Sequence, residues 1–155
     1  MVDGDGLFEA EAVTLDETKF RIDKGDALAS GGSFVTPTIP YQTANPPVDW
    51  AGFEFNFNVD VTAAVYNVWV RVCIPGGGND SIWMSLDGGS YTEGKDYTET
   101  QKVDGVAQYE WRKVGVYNNL SAGTKHNFRF YPREAGSKID KVLITNLTNR
   151  RPVGM

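Results

Sequence analysis

Few residues of this chain have types and spacing suited to chemistry. Glu9 and Glu11 lie in Leu-Phe-Glu-Ala-Glu-Ala-Val, from Leu7 to Val13, whose alternation reads as a first strand. Side chains two apart share one strand face, so the two carboxylates would stand side by side and repel. Either they belong to the solvated face of an edge strand, or they hold a cation, because paired carboxylate oxygens with backbone carbonyls are what calcium takes. Cys73, the only cysteine, reads as a small buried hydrophobe without a disulfide or zinc partner. His126, the only histidine, has no serine or cysteine nucleophile motif around it. The sequence contains no G-x-S-x-G, phosphate-binding glycine loop or H-E-x-x-H. A glycosidase needs two carboxylates across a cleft, which a pair on one strand face does not supply. No enzymatic activity is expected.

These residues need a scaffold, and the composition points to an all-β one. At 155 residues the chain reads as a single domain, 1–155, with 1–6 and 147–155 as flexible edges. Seventeen glycines, seven prolines and 12% aromatics fit a domain of many turns. The net charge of −5, with no basic stripe, argues against a nucleic-acid partner. No apolar run approaches transmembrane length, so no membrane partner is expected, and no signal peptide precedes Asp3.

Residues 52–60 give the clearest strand, with Phe53, Phe55, Phe57 and Val59 facing in and Glu54, Asn56 and Asn58 facing out. Ala64–Cys73 is rich in β-branched and aromatic residues, and Ile82–Leu86 follows between glycine turns, so the two read as a central hairpin. Further strands are expected at Phe20–Ile22, Ala27–Ala29, Ser33–Val35, Tyr109–Val116, His126–Tyr131 and Lys138–Thr145. Thr36–Trp50, with four of the seven prolines, and Ser90–Ala107 read as loops. No segment offers an amphipathic helix. Eight to nine strands at this spacing predict a two-sheet antiparallel β-sandwich.

The ordered set Glu9-Ala-Glu11, Ala29–Val35, Tyr66–Arg71, Gly78–Gly88, Tyr109-Glu-Trp111, Leu120–His126 and Arg133–Thr145 resembles the carbohydrate-binding modules of families six and thirty-five, over nearly the whole chain. The resemblance implies a jelly-roll sandwich with a structural calcium, held by Glu9, Glu11 and Asp140 and by a carbonyl between Arg21 and Asp26. It also implies a sugar-binding cleft formed by loops at one end. By position, Tyr109 corresponds to the aromatic before the core tryptophan, Lys138 lies near a polar contact residue of the last strand, and Asn79 is at the tip of the central loop. Tyr41 and Trp50 join them through loop composition alone. Lys138 and Arg133, if both line the cleft, suit a uronic or sulfated sugar.

A non-catalytic polysaccharide- or oligosaccharide-binding module is thus expected, monomeric, secreted or cell-surface, and part of a larger multidomain protein. Each candidate also has a plain structural reading: Trp69 and Trp111 as core, Tyr109 as packing, Asn79 as a turn residue, Lys138 and Arg133 as solvated charges. A structural or protein-interaction spacer is the alternative, because the fold hosts many functions. The sequons at Asn79, Asn119 and Asn146 would matter only in a eukaryotic secretory pathway.

Overall fold

The computed structural model describes residues 5–38, 53–59, 61–77, 82–90, 92–94, 99–147 and 152. Its strands are β1 (Asp5–Glu9), β2 (Thr14–Leu15), β3 (Phe20–Lys24), β4 (Ser33–Pro37), β5 (Phe53–Asn58), β6 (Ala63–Cys73), β7 (Ile82–Leu86), β8 (Thr92–Gly94), β9 (Lys102–Val103), β10 (Val106–Ala107), β11 (Glu110–Leu120), β12 (Lys125–Pro132) and β13 (Lys138–Thr145). Nine of these have five residues or more and carry the sandwich; the other four are pieces of two or three residues. Every pairing among the described residues is antiparallel.

One sheet runs β11-β6-β13-β4-β3, with β1 also paired to β13, and the other runs β2-β5-β12-β7-β8. Between them lies the core, filled from one side by Tyr66, Val68, Val70, Val72, Val142 and Ile144, and from the other by Phe57, Ile82, Met84, Phe128 and Phe130. Residues on one strand face repeat every second position, so Val68, Val70 and Val72 turn Trp69 and Arg71 to the opposite, outer face. There Trp69 packs with Trp111, Leu143 and Leu7 in a cluster of its own. Both tryptophans are buried as expected, but outside the sandwich core. Phe57 and Val59 are buried and Asn56 and Asn58 exposed, the expected alternation; the side chains of Phe53 and Phe55 lie outside the described residues.

Five local expectations are corrected. The strands β6 and β7 do not form a hairpin: β6 lies between β11 and β13, and β7 between β12 and β8 in the other sheet. Alternation marks a strand without naming its partner, and residues 74–81 are long enough to cross the roughly 10 Å between packed sheets. The first strand ends at Glu9 instead of continuing to Val13, because Ala10–Ala12 forms a tight turn and Thr14–Leu15 then pairs with β5. A single stretch thereby serves both sheets. Ala27–Ala29 is loop, held by amide–carbonyl turns. Within Ser90–Ala107 stand β8 and the β9–β10 hairpin, whose turn residues Asp104 and Gly105 both have positive φ. The strand expected to end at Val116 continues to Leu120.

Candidate functional site

The loop joining β3 to β4 is built on glycine. Gly31 and Gly32 adopt φ of 59° and 75°, a region that side chains with a Cβ disfavour, and the amides of Gly25 and Asp26 both donate to the Gly32 carbonyl at 2.8 and 3.2 Å. That closed loop reaches residues of the outer face of the six-stranded sheet. Ser30 donates its amide hydrogen to Asp140 Oδ1 at 2.7 Å and its hydroxyl hydrogen to Glu9 Oε1 at 3.1 Å. Arg71 Nη2 donates to the Leu28 carbonyl at 3.2 Å.

At the other part of the loop, Asp26 gathers two of the expected sugar-contact residues. Lys138 Nζ lies 2.8 Å from Asp26 Oδ2, and the Tyr109 hydroxyl donates to the same oxygen at 3.1 Å. The Leu28 amide caps Oδ1 at 3.1 Å. Burial alone would raise the Asp26 carboxyl; the Lys138, Leu28 and Tyr109 hydrogen bonds outweigh it and hold the group below its ordinary value. Burial, and then the neighbouring Asp26 charge, push the Tyr109 phenol up. The Arg71 guanidinium sits 5.0 Å from the Tyr109 ring centroid, and Lys138 Nζ 4.9 Å from that of Phe34. Tyr109 and Lys138 therefore share one spot, beside Arg71.

The three expected metal ligands lie in one neighbourhood, Glu9 and Asp140 joined through Ser30 and Glu11 within reach of both charges, by a route other than a shared strand face. Asp140 is the extra residue where the β13–β6 register shifts between Ile139 and Lys141, and this bulge brings its fully buried carboxylate onto Arg71 and the Ser30 amide. Glu9 pairs with Lys141 at 3.2 Å. Burial raises the Glu11 carboxyl, with the charges of Glu9 and Asp140 adding to it. Glu9 Oε2 and Glu11 Oε2 are buried without a hydrogen-bond partner, as oxygens left for a cation would be, whereas both Asp140 oxygens are engaged. Among the described residues no three acidic, histidine or cysteine side chains close on a single metal-sized point. Of the span expected to supply a carbonyl, Arg21 to Lys24 belong to β3 and Gly25 and Asp26 to the loop, and within that loop Ser30 bonds Glu9 and Asp140 through its hydroxyl and amide hydrogens.

Arg133 lies in the β12–β13 turn, bonded to the buried Glu134 at 3.1 Å and placed 5.6 Å from the Trp83 ring centroid. It thus answers to a different carboxylate from Lys138. Asn79, Tyr41 and Trp50 lie outside the described residues. The register places the end of β4 at Pro37, the end of β6 at Cys73, the end of β12 at Pro132, and the starts of β11 and β13 at one end of the sandwich. Sequence reasoning missed Asp26 and Ser30, whose only signal was the glycine spacing around them, and Arg71, a lone charge in an apolar strand. His126 is buried at the other end, with Nδ1 2.9 Å from Asp87 Oδ2 and Nε2 donating to the Ser121 carbonyl at 3.2 Å, which gives it a structural setting.

No sequence-family model and no curated protein matches the chain. Solved structures do. A family 35 carbohydrate binding module from Clostridium thermocellum is 26% identical, with a TM-score of 0.59, over 90% of this chain and 98% of that one. A GH26-CBM35 β-(1,4)-mannanase from Podospora anserina matches with a TM-score of 0.66 and 17% identity, over 97% of this chain and 29% of the enzyme. An exo-β-1,3-galactanase from Phanerochaete chrysosporium matches with a TM-score of 0.60 and 18% identity, over 93% of this chain and 30% of that one. The chain thus spans less than a third of either enzyme and nearly all of the free-standing module. The antiparallel sheets and the whole-length superposition lead to one conclusion: the chain is a β-sandwich with the architecture of the family 35 carbohydrate-binding modules.

Proposed function

We propose that this domain is a non-catalytic carbohydrate-binding module that binds a polysaccharide or oligosaccharide at the loop end and delivers a larger secreted or cell-surface enzyme to it. The observation that carries this reading is the meeting of Tyr109 and Lys138 beside Arg71, where β11 and β13 begin. A sugar ring offers C–H groups on its face and hydroxyls on its rim, so an aromatic ring with fixed polar groups around it matches that chemistry. Joined to an enzyme, such a module raises the local concentration of substrate. A structural calcium belongs to the same reading, with Glu9 and Glu11 supplying their unpartnered oxygens; Asp140, the third expected ligand, would share with the ion an oxygen that now accepts from Arg71 or Ser30. When bound, the ion would offset the repulsion among these carboxylates and tie the first strand to the last.

One observation favours a spacer without a sugar site: the Tyr109 hydroxyl and the Lys138 ammonium are both occupied by Asp26. A glycan array with calcium present, followed by titration calorimetry on the hits, separates the two. Binding that Tyr109→Ala abolishes supports the module; a folded chain that binds no glycan supports the spacer.

A further inference from the structure

The cations around the candidate sugar site are already neutralised from within. Lys138 stands on Asp26 at 2.8 Å, Arg71 on the buried Asp140, and Lys141 on Glu9 at 3.2 Å. Arg133, on its own turn, stands on Glu134 at 3.1 Å. Asp26, unlike Asp140 on β13 and Glu9 on β1, does not stand on a strand. It is presented by the Gly25–Gly32 loop, and its Oδ2 accepts from the residue pair, Tyr109 and Lys138, that the module reading gives to the ligand.

We infer that Asp26 sets the charge class of the ligand: its carboxylate holds Lys138 and Tyr109 in a neutral site that accepts a neutral sugar and rejects uronates and sulfated sugars. The inference rests on the module reading. An incoming uronate would have to displace Asp26 from a half-buried ammonium, leaving the Asp26 carboxylate beside the ligand's own charge, or bind without the cation. A neutral hydroxyl has no such conflict: it can add to the network, because the Tyr109 oxygen still accepts and the ammonium has further hydrogens to donate. Specificity here comes from a repulsive element as much as from an attractive one. Asp26→Asn is nearly isosteric and keeps a side-chain oxygen for the Leu28 amide, while freeing Lys138.

The test is affinity for soluble galactomannan, a neutral polymer, and for polygalacturonate, an acidic one, measured by calorimetry on the wild type, Asp26→Asn and Asp26→Asn with Lys138→Met. The wild type is expected to bind the neutral polymer better. Asp26→Asn is expected to gain about tenfold or more for polygalacturonate, the range of one unmasked charge pair, and the added Lys138→Met to cancel that gain. Equal or tighter binding of polygalacturonate by the wild type overturns the inference and leaves the module reading standing. A folded wild type that binds neither these nor any arrayed glycan overturns both. If Asp26→Asn fails to fold, the salt dependence of wild-type binding decides: a flat response supports the masked site, and a steep fall with salt overturns it.

Discussion

The Ser30 amide donates its hydrogen to Asp140 Oδ1 at 2.7 Å across 110 positions of sequence, fastening the β3–β4 loop to the last strand. The same serine reaches Glu9 on the first strand through its hydroxyl, so three distant segments meet at one residue. The carboxylates expected to hold a cation and the residues expected to hold a sugar are thereby connected through a single loop, with Ser30 in one group and Asp26 in the other.

Removing calcium is expected to lower the melting temperature. A ligand that binds only the folded state stabilises it by about 2.7 kcal/mol at a hundredfold excess over its dissociation constant, and chelation withdraws that. Thermal melts with and without chelator measure it, and Glu11→Gln should shrink the difference. Identical melts would remove calcium from this protein.

Tyr109→Ala is expected to weaken sugar binding tenfold or more while the fold survives, since the ring lies at the entrance to β11 and is only half-buried. Trp111→Ala, two residues on, is expected to destabilise the fold by about 3–5 kcal/mol, because its ring packs against Trp69 and Leu143. Denaturant unfolding separates the two, and a common loss of stability would take Tyr109 out of the site.

Arg71→Met should be among the more damaging single substitutions, by about 3 kcal/mol, because it leaves the fully buried Asp140 carboxylate without its cation. Adding Asp140→Asn should restore part of that loss. A double-mutant cycle in which the two effects simply add would show that the pair does not interact.

The Asp26 carboxyl is held below its ordinary value, so folding binds its proton more weakly than the unfolded chain does. Its contribution to stability is therefore complete above the unfolded value of about 3.9 and is lost as pH falls through the folded one. The stability gap between wild type and Asp26→Asn should stay level near neutrality and close on acidification below that window. A gap that persists into strong acid would mean Asp26 stabilises through shape and not charge.

Much of this architecture is legible in the sequence because its signals are local. Period-two alternation marks β5 and β12 wherever they sit, since one face of each must be apolar. Glycines such as Gly31 and Gly88 mark turns because positive φ is costly for other residues. Partnership is not local, which is why Ala64–Cys73 and Ile82–Leu86 read as a hairpin and are instead in opposite sheets.

By itself the sequence determined the all-β class, most of the long strands, and Glu9 and Glu11 as a candidate pair, because residue type and spacing act at short range; Tyr109 and Lys138 became candidates through the family resemblance. Tertiary structure alone decided that a bulge would bring Asp140 to Arg71, that Ser30 would join Glu9 to it, and that Asp26 would occupy Lys138. Those contacts span tens of residues. Their energies exist only once the sheets have stacked, and no period in the chain encodes which charge will meet which.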